Sequence, residues 1–234
     1  QGGGKVGAAI FIFGSIITCA LALLISTPFS IASAIFMTEI SPGIGRKILQ
    51  PAVEIFVGIP SVVYGWIGLT ILVPFIKDLF DLKFGFSVLS AGIVLAVMIY
   101  PTITSLSADA IRSIPKSFRQ ASYGLGATRW QTISQVVIPA SKSGLMTAIV
   151  LGLARAFGES LAVAMVIGKM KAFPESLLSP TTNLTAAIAS DMGGAMEGSE
   201  YNIALWSMAL LLFIISLVFI FIIHYISAKG GHKA

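Results

Sequence analysis

VGAAIFIFGSIITCALALLISTPFSIASAIFMT, residues 6–38, contains no Asp, Glu, Lys or Arg. As one helix it would measure about 50 Å at 1.5 Å per residue, more than a straight crossing of a hydrocarbon core of about 30 Å requires. Pro28 is therefore expected to kink or divide it. The rest of the chain has the same character: 56% of the 234 residues are hydrophobic and 11% are charged, whereas soluble domains carry about 25% charged residues. A water-soluble fold of this size cannot hide so much apolar surface. Four further runs are long enough to span: residues 49–76 with Glu54 near the start and Pro60 within, 84–108 with Pro101 near the far end, 143–168 with Arg155 and Glu159, and 201–228 without Asp, Glu, Lys or Arg. The expected fold is an all-α membrane protein with five transmembrane helices in a single domain, residues 1–234, with no internal repeat.

The distribution of charge sets the expected orientation, because Lys and Arg of short loops collect on the cytoplasmic side. Arg46, Lys47, Arg112, Lys116, Arg119, Arg129, Lys142, Lys229 and Lys233 fall on one side. Lys5, Lys77, Lys83, Lys169 and Lys171 fall on the other, diluted by Asp78, Asp81, Glu175, Asp191, Glu197 and Glu200. The first side is expected to be cytoplasmic. With the tail inside, five crossings place Lys5 outside, so an additional N-terminal helix upstream is expected in the natural protein. The net charge of +5 does not indicate nucleic acid, since no basic stripe carries interleaved aromatics. Cys19, the single cysteine, offers neither a disulfide nor a thiolate metal site and reads as a small buried residue. The sequence has no HExxH, no GxSxG with a membrane histidine partner and no Gly-rich nucleotide loop ending in Lys-Ser/Thr. No cofactor and no enzymatic activity are expected, and any ATP must be hydrolysed by another chain.

Residues 111–141 separate two spans and read as structure. Ser113 ahead of Ile114-Pro115 marks a helix start, and Ile114, Phe118, Ala121 and Leu125 recur at helical spacing, which predicts an amphipathic helix ending at Gly124 or Gly126. Thr128 with Gln131 fits a capping box that opens a second helix through Ile133, Val136 and Val137, terminated by Pro139. Amphipathicity alone leaves two roles open, resting on lipid headgroups or meeting a partner. Gln120-Ala121-Ser122, then Gly126, then Val136, Ile138 and Pro139 resemble, at matching spacing, the EAA loop of bacterial ABC importer permeases. Ala121, Gly126 and Pro139 match by identity; Gln120 replaces the acid, Ser122 the second alanine, Val136 an isoleucine and Ile138 a leucine. The resemblance implies a coupling loop that docks on an ATP-binding subunit.

Ala154-Arg155-Ala156-Phe157-Gly158-Glu159-Ser160 places a cation and an anion four residues apart on one helical face. An intramembrane Arg costs about 2.5–3.5 kcal/mol or more and usually faces a partner or a watery path. The pair reads either as a packing contact or as part of a translocation path. This segment resembles the Gly-Arg-Ala-x-Gly-Glu-Thr stretch of phosphate-specific (Pst) permeases. Phe36-Met37-Thr38-Glu39-Ile40-Ser41-Pro42, Gly58-Ile59-Pro60-Ser61-Val62-Val63-Tyr64-Gly65 and Leu161-Ala162-Val163-Ala164-Met165-Val166-Ile167-Gly168 extend the likeness, closer to the PstC branch than to PstA. The resemblance implies a MetI-like type I ABC importer permease of a bacterial or archaeal cytoplasmic membrane. It further implies a path for phosphate past Arg155, Glu159 and Ser160. The implied partners are a PstA-like homologous permease, two ATP-binding subunits, an extracytoplasmic phosphate-binding protein and membrane lipid. A secondary transporter or channel is the alternative in which the charged pair couples ions and the loop rests on lipid. Among lesser features, Glu54 is expected to pair with Arg46 or Lys47, Tyr64 and Trp66 to pack inside the bundle, and Tyr201, Trp206 and His224 to sit at the membrane boundary. The outer loop, about 169–202, is expected to hold a short helix near the surface at 183–192.

Overall fold

The computed structural model describes the backbone of residues 8–231 and the side chains of residues 8–226. The predicted roles of Lys5, Lys229 and Lys233 lie outside that range. Helix α1 covers Ala9–Ile35 and continues through a π-helical turn, Phe36–Ile40. Pro28 lies inside α1 without dividing it, contrary to one of the two outcomes expected. A short helical stretch, Pro42–Ile44, and a π turn, Gly45–Leu49, lead into α2, Gln50–Gly58. The second apolar run is not one helix: the chain breaks at Ile59-Pro60, and α3 runs Ser61–Leu79. The ring of Pro60 cannot donate to the preceding turn, and Gly58 beside it weakens what remains.

Helix α4 is Val88–Arg112, followed by α5, Lys116–Gly124, and α6, Arg129–Ala140. Helix α7, Lys142–Gly158, leaves α6 at an angle of 67°. A break then precedes α8, Leu161–Val166; α9 is Leu184–Asp191 and α10 is Glu200–Gly231. Among the described residues four helices are long and apolar enough to cross a membrane, or up to five spans if α6 and α7 count as one broken span.

The chain folds as two compact units. Among the described residues the first takes in 8–25, Ile59–Met98 and Leu153–Val218, and the second Ser26–Gly58, Ile99–Gly152 and 219–231. In the first unit Ile76, Val88, Leu95, Met98, Ile167, Leu184 and Leu205 are fully buried. The backbone at Gly14 approaches so closely that a Cβ there would overlap the Thr182 carbonyl oxygen. In the second unit Ala34, Ala108, Ile111, Val137 and Leu145 form one apolar cluster. Small residues set its helix contacts, as a Cβ at Gly152 would press on Ile103 and one at Gly144 on Ala110. Membrane helices associate through this kind of close approach rather than through water exclusion. Hydroxyls add to it: Ser33 Oγ lies 2.8 Å from the Tyr100 hydroxyl, and Ser30 donates to the Tyr100 carbonyl at 3.2 Å.

The helix expected in the outer loop is present, with Asn183 accepting from the Ala186 amide at 2.8 Å as its cap. It is not superficial. Leu184, Thr185, Ala186 and Ala187 are buried, because the segment after Gly168 returns to the bundle, where the Thr181 amide donates to the Ile167 carbonyl at 3.2 Å. Gly168 has φ +95°, which favours glycine at this reversal.

Candidate functional site

Arg155 occupies the last turn of α7 and is half-buried. The sequence places Glu159 one turn further along the same helix, but α7 stops at Gly158, so Arg155 and Glu159 are not stacked on one helical face. Glu159 caps the next helix: its Oε1 accepts the Ala162 amide at 3.1 Å. That amide belongs to the first turn of α8, where an intrahelical acceptor is missing. The Glu159 carbonyl accepts from Thr185 Oγ1 of α9 at 2.6 Å. Ser160, half-buried, is the residue on which α8 begins. The interruption thus keeps polar backbone near Arg155 and satisfies it from α8 and α9, the condition under which irregular backbone is tolerated at membrane depth.

Helix α3 packs against α8 on this side. A Cβ at Gly65 would lie 2.8 Å from both Ala162 Cα and Met165 Sδ, and one at Gly68 would lie 2.6 Å from Val94 and 3.0 Å from Val166. The glycines therefore serve close packing, while Gly58 and Pro60 mark the break. Tyr64, buried as expected, sits near enough to Arg155 to feel its charge. Trp66 is 59% exposed and faces outward, a correction to its expected place inside the bundle. Glu54 accepts from Gln50 Nε2 at 3.0 Å, an i,i+4 bond, rather than pairing with Arg46 or Lys47.

The loop of residues 111–141 is ordered as two helices. Pro115 precedes α5, and Gly126, at φ +83°, follows its end. The capping box is present: Thr128 Oγ1 accepts the Gln131 amide at 3.3 Å and Gln131 Oε1 accepts the Thr128 amide at 2.8 Å. Pro139 does not terminate α6, which extends one residue beyond it. Buried Ser122 meets Thr132 Oγ1 at 2.9 Å and ties the two helices together. Gln120, Ala121 and Pro139 are exposed. The apolar stripe of α5 also faces outward, with Phe118 49% and Leu125 90% exposed. Sequence reading missed the residues that hold this loop in place, Glu39, Arg119 and Arg129. Arg119 and Glu39 form an ion pair, and Arg129 donates to the carbonyls of Glu39 and Ile40. They are 80 to 90 residues apart in the chain, so no local pattern announces them.

On the outer loop, Lys171 Nζ meets Asp191 Oδ2 at 2.9 Å and Tyr201 hydroxyl at 2.7 Å, and Tyr201 donates to Asp191. Burial works against the Asp191 charge, but the hydrogen bonds from Tyr201 and Lys171 and the charge of Lys171 prevail and hold its pKa below the ordinary carboxylate value.

Interrupted apolar helices, a charged residue beside the interruption and an ordered helical loop mark a multi-pass membrane protein. The family described as "Binding-protein-dependent transport system inner membrane component" matches residues 26–230, and the chain belongs to that family. It is similar to the "Probable ABC transporter permease protein YqgH" of Bacillus subtilis (strain 168), 56% identical over 96% of this chain and 73% of that protein. It is also similar to the "Phosphate transport system permease protein PstC" of Pasteurella multocida (strain Pm70), 38% identical over 97% of this chain and 78% of that one. Its fold is that of the MetNI methionine ABC transporter chain solved in inward-facing conformations, with a TM-score of 0.70 at 17% identity, covering 97% of this chain and 99% of the other.

Proposed function

We propose that this chain is a PstC-type permease subunit of an ATP-driven importer, passing inorganic phosphate from an extracytoplasmic binding protein to the cytoplasm. The observation that carries the reading is the likeness to phosphate permeases along nearly the whole chain, in a fold shared with an ABC importer. The subunit pairs with a homologous PstA-like permease, and one of the transporter's two ATP-binding subunits docks on α5 and α6. The exposed apolar side chains of Phe118 and Leu125 offer that partner a contact surface.

Arg155 is the phosphate ligand in this reading. Its planar guanidinium donates paired hydrogen bonds to a tetrahedral oxyanion and stays charged at physiological pH. Glu159 and Ser160, at the interruption, shape the path beside it. With the Glu159 carboxylate engaged by the Ala162 amide, its charge tempers the attraction without occupying the place of the ligand, so phosphate can leave.

The test is uptake of labelled phosphate by the complete transporter in proteoliposomes, with sulfate and arsenate as competitors. Arg155→Ala is expected to lower uptake about 10- to 100-fold, the value of one hydrogen bond to a charged group, in complexes that still assemble. Uptake that persists at the wild-type rate removes Arg155 from the path. Competition by sulfate equal to that by phosphate reassigns the substrate to another oxyanion, and uptake driven by an ion gradient without nucleotide makes the chain a secondary carrier.

A further inference from the structure

The stretch Thr38-Glu39-Ile40-Ser41-Pro42 follows α1, and nothing in the proposed transport path uses it. Glu39 is nonetheless the most heavily bonded acid of the second unit. Arg119 Nε approaches Glu39 Oε1 at 3.1 Å and Oε2 at 3.3 Å, and Arg119 Nη2 approaches Oε1 at 2.5 Å. The two side chains are 9% and 18% exposed, so water screens the pair little and its geometry is held from both sides.

Arg119 has donors left over. Nη1 donates to the Ile114 carbonyl at 2.8 Å and Nη2 to the Ile111 carbonyl at 3.0 Å. Ile111 belongs to the last turn of α4, where carbonyls lack intrahelical partners and a cation is favoured. One guanidinium, carried by α5, therefore fastens the end of α4 and the turn after α1 together.

A second arginine reaches the same turn from α6. Arg129 Nη2 donates to the Ile40 carbonyl at 2.8 Å and to the Glu39 carbonyl. Those carbonyls are the last two of the π turn, where helical carbonyls lack partners of their own. Both helices of the loop are thus tied to Glu39-Ile40, α5 through the carboxylate and α6 through the backbone. The close approach of Gly45 to the Met37 backbone packs the following turn against the same place.

We propose that Glu39 is a positioning residue for transport: it makes α5, α6 and the ends of α1 and α4 one rigid piece, so that movement imposed on the loop reaches α1 and α4 without being absorbed. The inference rests on the reading of the loop as the dock for the ATP-binding subunits. Without the carboxylate, α5 keeps its helix and its exposed stripe but is no longer fixed to α1 by a side chain.

The experiment is phosphate transported per ATP hydrolysed by the complete transporter in proteoliposomes, normalised to assembled complex. For Glu39→Gln the ATP-binding subunits are expected to co-purify as in wild type and ATP to be hydrolysed. Phosphate moved per ATP is expected to fall about 10-fold, inside the range known for residues on a coupling network. Glu39→Asp, keeping the charge on a shorter arm, is expected to recover part of that loss. Should Glu39→Gln fail to accumulate, Arg129→Met decides alone: it removes the bonds to the same turn from an exposed position and is expected to lower the same ratio. An unchanged ratio in assembled Glu39→Gln, or in Arg129→Met where that variant decides, overturns the proposal. So does a folded Glu39→Gln permease that loses the ATP-binding subunits. Wild-type vesicles that take up no phosphate overturn the transporter reading itself, a separate failure.

Discussion

Asp191, Lys171 and Tyr201 tie the outer segment to the start of α10. Because the Asp191 pKa is depressed, the contribution of its charge is full above about pH 4, the ordinary carboxylate value, and is lost as pH falls through the lower folded value. Hydrogen exchange of residues 184–191 is expected to rise at acid pH in wild type, and to be raised already at pH 7 in Asp191→Asn. A flat profile in wild type would show that the contact holds nothing. Gly126 is a simpler case: at φ +83° with open space around it, Gly126→Ala meets strain of about 1 kcal/mol or more from the backbone alone. Thermal unfolding of purified protein should record it as a lower midpoint. This glycine was legible in the sequence because helix ends are local chemistry, as was the Thr128 and Gln131 box. The Glu39 pair was not, since an acid after an apolar run signals an end but says nothing about which arginine lies beside it.

At the level of the helix, two prolines in apolar runs behave differently. Pro28 is carried inside α1, whereas Pro60 coincides with a break. The residues around them account for part of this: Gly58 stands two places before Pro60, and α1 has no glycine near Pro28. Neighbouring helices can also satisfy the groups a proline frees. The interruption at Glu159 had only Gly158 as a local sign and no proline, too little to end a helix by itself; the deciding bonds come from Ala162 and from Thr185, 26 residues away. Where α3 meets α8 there is no room beside Gly65. Gly65→Leu is expected to destabilise the protein by about 1–3 kcal/mol, as overpacking does, and to reduce the assembled yield measured by size-exclusion chromatography. An unaltered yield and melting midpoint would mean that the two helices separate freely.

Across the whole molecule, the apolar runs foretold the class of fold correctly, because a bilayer demands long helices and constrains little else about them. The orientation drawn from the loop charges is open to a direct test. Leu125 and Met196 are 90% and 81% exposed, and Leu125→Cys is expected to react with a membrane-impermeant maleimide only from the cytoplasmic side, Met196→Cys only from the outer side. Labelling of both from the same side would break the assignment. Helix α10 stands apart from the other spans: only 6% of its most apolar window is buried within the chain, against 67% for α4. A cylinder so evenly greasy carries no inscription of its own about what adjoins it. Lipid alone would tolerate exchanges among Leu, Ile, Val and Phe equally at every position. A neighbouring subunit would punish them along one edge, every third or fourth residue. A saturation scan of this helix, scored for growth on limiting phosphate, would therefore draw the outline of whatever lies against it.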